Sequence, residues 1–287
     1  MNQLTFVPDG GLCNRIHAVS SAICFAKKHD LRLTVIWFKD RGMGAGFHDL
    51  FTLLPAVKNV LIKDASFIDF FKYAKPIKSN FFLPKLYQRL KFDTIYFWYK
   101  EQISVEKWYH SNAGVSKFYL CHCYKFHDNC EFSNLFYPID SIQKKIGEQL
   151  NLLSPYTIGI HIRRTDITAS IKHSPLSAFI EKIQQEIAIN PDANFYVASD
   201  SQEEKNKLIS TVGRRIITIE NNLKRNTKNG VVDALVELYM LASTKKIFGS
   251  YQSTYSIMAS EIKGIPLEIV MTDDINNKYN EVDDSMF

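Results

Sequence analysis

Apolar and polar positions along this chain fall into blocks whose period changes in a regular order. Leu4, Phe6 and Val7 make a short apolar run, which Pro8-Asp9-Gly10-Gly11 breaks. From Asn14 to His29, Ile16, Val19, Ala22, Ile23 and Ala26 recur at helical spacing. A second β-branched run occupies residues 31–37. Strand, glycine turn, helix, strand is the opening of a parallel-sheet domain.

Residues 65–125 lose this order. Aromatics are dense there (Phe70, Tyr73, Phe81, Phe82, Tyr96, Trp98), and the pattern predicts irregular structure with short helices and strands. Regularity returns with a helix over 140–150 and a crossing at 151–156. Residues 157–162 read as a buried strand. Ser174-Pro175 predicts a helix start, with serine as N-cap and proline in the first turn. Further strands are expected at 195–198, 215–219 and 246–249, and helices at 202–210, 231–242 and 255–262, with a polar loop at 221–230. The expected fold class is α/β, with two Rossmann-like domains over residues 1–150 and 151–287.

The length of 287 residues suits two such domains, and a 46% hydrophobic, 23% charged composition is that of an ordinary globular protein. A net charge of +5 fits handling of phosphates or contact with an anionic surface, and is too mild for a nucleic-acid stripe. Basic residues outnumber acidic ones between Lys58 and Lys125. The tail is acidic (Asp273, Asp274, Glu281, Asp283, Asp284) and reads as a solvated terminus. Five cysteines without regular spacing argue against a secreted disulfide scaffold. The expected location is cytoplasmic, with peripheral contact to an inner membrane left open, because no signal peptide or apolar span is read.

A parallel sheet binds ligands beyond the carboxyl ends of its strands. Three groups stand there. Arg163 and Arg164 follow a buried strand, and a guanidinium fork suits phosphate oxygens. Ser250, Gln252, Ser253 and Thr254 form a small-residue turn into a helix, which is an anion site or a plain cap. Gly10 and Gly11, with Asn14 and Arg15 just after, allow close backbone approach to a ligand, although the spacing is neither a dinucleotide fingerprint nor a Walker loop. Cys121, Cys123, His127 and Cys130 lack a standard zinc spacing and read as small apolar cysteines of a buried strand with a histidine facing the acceptor, metal binding being the alternative.

Taken together, His161-Ile162-Arg163-Arg164-Thr165-Asp166 resembles the H-x-R-R-T-D motif of α-1,6-fucosyltransferases and nodulation enzymes, and more loosely of protein O-fucosyltransferases. Gly10-Gly11-Leu12-Cys13-Asn14-Arg15 resembles their glycine-rich opening element. Asp200 is similar to their second motif, and Glu237 through Ser253 to their third. The resemblance implies two facing Rossmann-like domains (the GT-B arrangement), GDP-fucose as donor, an inverting reaction and no metal or other cofactor. The implied acceptor is a glycan or lipid-linked glycan in surface polysaccharide or lipopolysaccharide synthesis. Arg163 would neutralise the departing β-phosphate, and Arg164 and Asp166 would orient the donor site. Asp200, Glu237 and Ser253 would bind nucleotide, with Asp233 a rival to Glu237. Residues 167–171 lack the lysine and glutamate that follow the motif in the α-1,6 enzymes, so the base that activates the acceptor falls to Asp166, His17 or Asp9. Transfer of another sugar, or nucleotide-sugar binding without catalysis, is the alternative.

Overall fold

The computed structural model describes residues 1–272 except 129, 166, 167, 221 and 223; Asp166 and the acidic tail lie outside the described residues. The described chain divides into two compact units. The first is Met1–Asp140 with Lys224–Val232, and the second is the remainder. The boundary drawn from the sequence at residue 150 falls at the far end of a helix that begins the second unit.

In the first unit the order is β1 (Gln3–Pro8), α1 (Leu12–Lys28), β2 (Arg32–Trp37), β3 (Phe51–Leu53), β4 (Val60–Asp64), α2 (Phe67–Phe70), α3 (Leu83–Lys91), β5 (Thr94–Phe97), α4 (Val105–Ser111), β6 (Lys117–His122) and β7 (Phe136–Pro138). β4-β2-β1-β6-β5 form a parallel sheet, and β3 and β7 pair antiparallel beside it. Leu4 and Phe6 sit on one face of β1 with α1 packed over the strand, so the first helix closes its own βαβ unit. The interior strand β6 lies in the stretch expected to be irregular. Phe118, Tyr119, Leu120 and Cys121 are all buried, so β6 is apolar on both faces, and the alternation that marks a half-exposed strand is missing.

The second unit runs α5 (Asp140–Leu150), β8 (Thr157–Ile162), α6 (Thr168–His173), α7 (Leu176–Ile189), β9 (Asn194–Ser199), α8 (Gln202–Val212), β10 (Ile216–Ile217), α9 (Lys228–Leu241), β11 (Ile247–Ser250), α10 (Thr254–Lys263) and β12 (Leu267–Val270). Its parallel sheet has the order β10-β9-β8-β11-β12. Ile158, Ile160 and Ile162 of β8 pack with Phe179 and Ile183 of α7 and Phe195 and Val197 of β9 to form the core. The fold is thus α/β with two Rossmann-like parallel sheets, as the alternating pattern predicts.

Three local expectations change. Ser174 does not cap α7: Pro175 holds the N-cap position, and the Ser174 hydroxyl donates to Val270 O at 2.5 Å, tying the helix to β12. α9 begins at Lys228, inside the expected polar loop. Cys24 and Cys130 form a disulfide across a separation of 106 residues, joining α1 to the segment after β6, whereas Cys121 and Cys123 are free and buried.

Candidate active site

Chain order around each sheet reverses at one place. In the second unit the chain steps outward from β8 to β9 and β10, then returns to β11 and β12 on the other side, so the switch point lies between β8 and β11. Ligands of open α/β sheets bind at the carboxyl ends beside such a point. Arg163 leaves the end of β8 and Ser250 ends β11. The two are stitched together: Arg163 N–H donates to Ser250 Oγ at 3.0 Å, and Ser250 Oγ–H donates to His161 O at 3.1 Å.

The two arginines have different surroundings. Arg164 turns back into its own unit. Its Nε donates to Glu204 at 3.0 Å, and its other nitrogens donate to Arg163 O at 2.9 Å and Ser174 O at 3.0 Å. That guanidinium braces the loop. Arg163 Nε lies 3.3 Å from Asp200 Oδ2. Asp200 also accepts from Arg164 N–H at 2.7 Å and from Thr165 Oγ–H at 2.6 Å. One carboxylate at the end of β9 therefore sets both the backbone of residues 164–165 and the aim of Arg163.

At the end of β11, Gln252 takes a left-handed conformation (φ 53°) and Ser253 stands at the N-cap of α10. The Ser253 hydroxyl makes no cap bond. It lies 3.3 Å from His161 Nδ1, which is also 2.8 Å from Ser256 Oγ and whose ring stacks on Tyr255. With that hydroxyl turned to His161, Ser253 does not cap the first-turn amides of α10, which begins at Thr254. Such amides form an anion site at the positive end of the helix dipole.

Glu237 lies on α9. It is buried against Lys205, with Nζ to Oε1 2.8 Å and side-chain exposures of 6% and 1%. Tyr196, buried nearby without a hydrogen-bond partner for its hydroxyl, has its pKa pushed well up by burial and then by the Glu237 charge. Asp233, the rival on the same helix, is half-buried and accepts from Asn222 N–H at 3.0 Å.

The first unit has its own switch point, between β1 and β6. Gly10 follows β1 with φ +84°, a conformation that favours glycine, and a Cβ there would sit 3.0 Å from Asn14 Nδ2. The carbonyl oxygen of the Asn14 side chain is buried with no hydrogen-bond partner. Arg15 is buried and spent on the fold: its Nε donates to Gly10 O at 2.7 Å, its terminal nitrogens bind Phe38 O and Asp40, and its plane lies over Trp37. His17 is half-buried on α1.

Asp9 follows β1 and binds Lys75, with Trp98 Nε1–H donating to it at 3.3 Å. Burial pulls the Asp9 pKa up, but the bond and charge of Lys75 and the Trp98 bond outweigh it, and the net shift is downward. Lys75 also faces the rings of Trp98 and Tyr99, at 5.8 and 5.3 Å. The irregular aromatic stretch hid Lys75 and Trp98 from the sequence reading; nothing in their spacing signals that they meet Asp9.

Two groups bear on metal binding. Cys130 is bonded to Cys24 and so is not a thiolate partner for Cys121 or Cys123. His29, Glu106 and His110 bring ligand atoms within 4.8 Å of one another, but Lys28 Nζ already lies 2.8 Å from Glu106 Oε1 and holds its charge.

No family model matches the chain, and no curated protein does. Solved structures do. NodZ α-1,6-fucosyltransferase soaked with GDP-fucose is 13% identical, with a TM-score of 0.60 over 91% of this chain and 92% of that one. A mutant of Arabidopsis thaliana FUT1 in complex with GDP is 15% identical, with a TM-score of 0.61 over 96% and 73%. POFUT1 in complex with GDP is 11% identical, with a TM-score of 0.56 over 94% and 98%. At these identities the likeness is one of fold: the chain has the GT-B class architecture of those fucosyltransferases.

Proposed function

We propose that this chain is a glycosyltransferase that moves fucose from GDP-fucose to a glycan or lipid-linked glycan, with inversion and without a metal. The observation that carries the reading is Arg163, which leaves the end of β8 at the switch point of the second sheet with its guanidinium beside Asp200 and its backbone N–H on Ser250. The fold shared with proteins solved with GDP or GDP-fucose supports the choice of donor.

Fucosyl transfer builds positive charge on the sugar ring and negative charge on the departing diphosphate. A fixed guanidinium and a helix N-terminus at that diphosphate stabilise the transition state more than the bound donor, because the charge they meet is still growing. Both are held in place before the reaction, so little reorganisation is needed. In this scheme Arg163 and the amides of α10 receive the β-phosphate, Arg164 and Asp200 position the loop, and Ser250 and His161 hold the strand ends together.

For acceptor activation the sequence offers Asp166, His17 and Asp9. Asp9, with its lowered pKa, is a weak base; it serves better as a hydrogen-bond acceptor for a sugar hydroxyl, with Trp98 and Tyr99 offering faces for a sugar ring. His17 is the remaining candidate base. Donor hydrolysis over a panel of nucleotide sugars tests the proposal without an acceptor. Turnover of GDP-fucose above the others supports it; turnover of another sugar nucleotide in its place moves the enzyme to a neighbouring specificity.

A further inference from the structure

The segment after α2 turns its apolar side chains outward. Phe81 and Phe82 both take left-handed backbone conformations, with φ 52° and 55°, which bulky L-residues rarely adopt. Phe81 is 76% exposed. α3 follows, and Leu83, Leu86 and Leu90 recur at spacings of three and four along one side of it. That stripe faces solvent, with Leu86 61% and Leu90 80% exposed. The opposite side of the helix is the buried one, carrying Pro84 and Gln88.

This orientation is built in. Gln88 Nε2–H donates to Ala74 O at 3.0 Å, Asn80 Nδ2–H donates to Lys75 O at 2.7 Å, and Asn80 Oδ1 accepts from Ile77 N–H at 2.9 Å. These buried amides anchor the segment from beneath, so the helix cannot roll its leucines inward without stranding them. No described residue of the first unit covers the stripe. Contiguous exposed apolar surface of this kind marks a docking face.

Charge identifies the occupant. Residues 70–92 contain no Asp or Glu, while Lys78, Lys85, Arg89 and Lys91 are exposed around the stripe. Lys85 and Arg89, one turn apart, border the leucines directly. A second copy of the chain would bring this basic rim against itself. A sugar acceptor would use the aromatic faces but not three leucines. Aliphatic and aromatic side chains inside a cationic rim match an interfacial layer of acyl chains beneath anionic headgroups. We propose that Phe81, Phe82 and the leucine stripe of α3 insert into the headgroup boundary of an anionic membrane, with Lys85 and Arg89 on lipid phosphates. Lys75, in the same anchored segment, pairs with Asp9 at the end of β1, so docking fixes the carboxyl end of the first sheet near the membrane. The proposal stands on this face alone, and its test needs no turnover.

Flotation of the full chain is compared on vesicles of phosphatidylcholine alone and of phosphatidylcholine with one part in three phosphatidylglycerol. The chain should float with the anionic vesicles, remain free of the neutral ones, and be partly released by salt. Leu86→Ser/Leu90→Ser should lower the partition coefficient about tenfold or more. Lys85→Glu/Arg89→Glu should abolish the preference for anionic lipid. All four side chains are exposed, so melting temperatures should match the unmodified chain. Failure to float with anionic vesicles overturns the proposal, as does undiminished flotation of Leu86→Ser/Leu90→Ser. Concentration-dependent self-association that this variant abolishes, without vesicle binding, would assign the face to a second copy instead.

Discussion

Asp200 Oδ2 lies 3.3 Å from Arg163 Nε, in an ion pair, while its other oxygen accepts from the backbone N–H of Arg164 at 2.7 Å. A single carboxylate thus divides the arginine pair, aiming one residue while holding the main chain of the next. Arg163→Ala should cost about 100- to 1,000-fold in turnover, the scale for losing one preorganised charge at a developing anion. Melting temperature should hardly change, and Arg163→Lys should restore part of the rate. Full activity in Arg163→Ala would remove the phosphate role.

Arg164→Ala should behave in the opposite way. It removes the donor to Glu204 Oε2 and to the Ser174 carbonyl, leaving Glu204 only the longer contact of Lys207 at 3.5 Å. Stability should fall by about 1–3 kcal/mol, read by chemical denaturation, with any loss of rate following the loosened loop.

Glu237 separates a nucleotide ligand from a structural ion pair. Glu237→Ala removes the carboxylate 2.8 Å from the buried Lys205 ammonium and should destabilise the second unit by about 3–5 kcal/mol. Lys205→Met/Glu237→Leu should recover much of that, and GDP binding by the double variant would show that the carboxylate serves the fold. Loss of GDP binding in a stable double variant would return Glu237 to the site.

Glu106 predicts an acid limb. Burial raises its pKa, but Lys28, His29 and His110 outweigh it and bring it to about 2, from an ordinary value of 4.5. A carboxylate lowered on folding contributes stability that is whole above pH 4.5 and is lost as pH falls toward about 2. The melting-temperature gap between the unmodified chain and Glu106→Gln should therefore narrow through that window; a constant gap would contradict it.

The disulfide closes a long loop. Cys130→Ser should lower stability by about 2–4 kcal/mol, and mass spectrometry without reductant should find the Cys24–Cys130 peptide pair. Free thiols at both positions would contradict the pairing.

Local signals carried much of this fold into view. β1, α1 and β2 are written as strand, glycine turn and periodic helix, and β8 and β9 as short apolar runs, so the parallel sheets could be read directly. β6 could not, because a strand buried on both faces lacks alternation. The ends of strands pointed to Arg163 and Ser250 because ligands gather there in parallel sheets. Spacing does not show where a long side chain turns, so the bonds of Arg15 to Gly10, Phe38 and Asp40 and of Arg164 to Glu204 and Ser174 could not be read. Glu237 meets Lys205 and Cys24 meets Cys130 only through the tertiary fold. Lys75 and Trp98 reach Asp9 from an aromatic stretch with no period to follow.

The proposed function has a guanosine diphosphate bound at the second sheet through Arg163 and the start of α10. Calorimetric titration of GDP and UDP into the unmodified chain and into Arg163→Ala reads that binding without turnover. GDP should bind in preference to UDP, and about tenfold or more weakly to Arg163→Ala, as expected for losing a charge-assisted contact to phosphate. Equal GDP affinity in the two proteins, or no GDP binding at all, would contradict it.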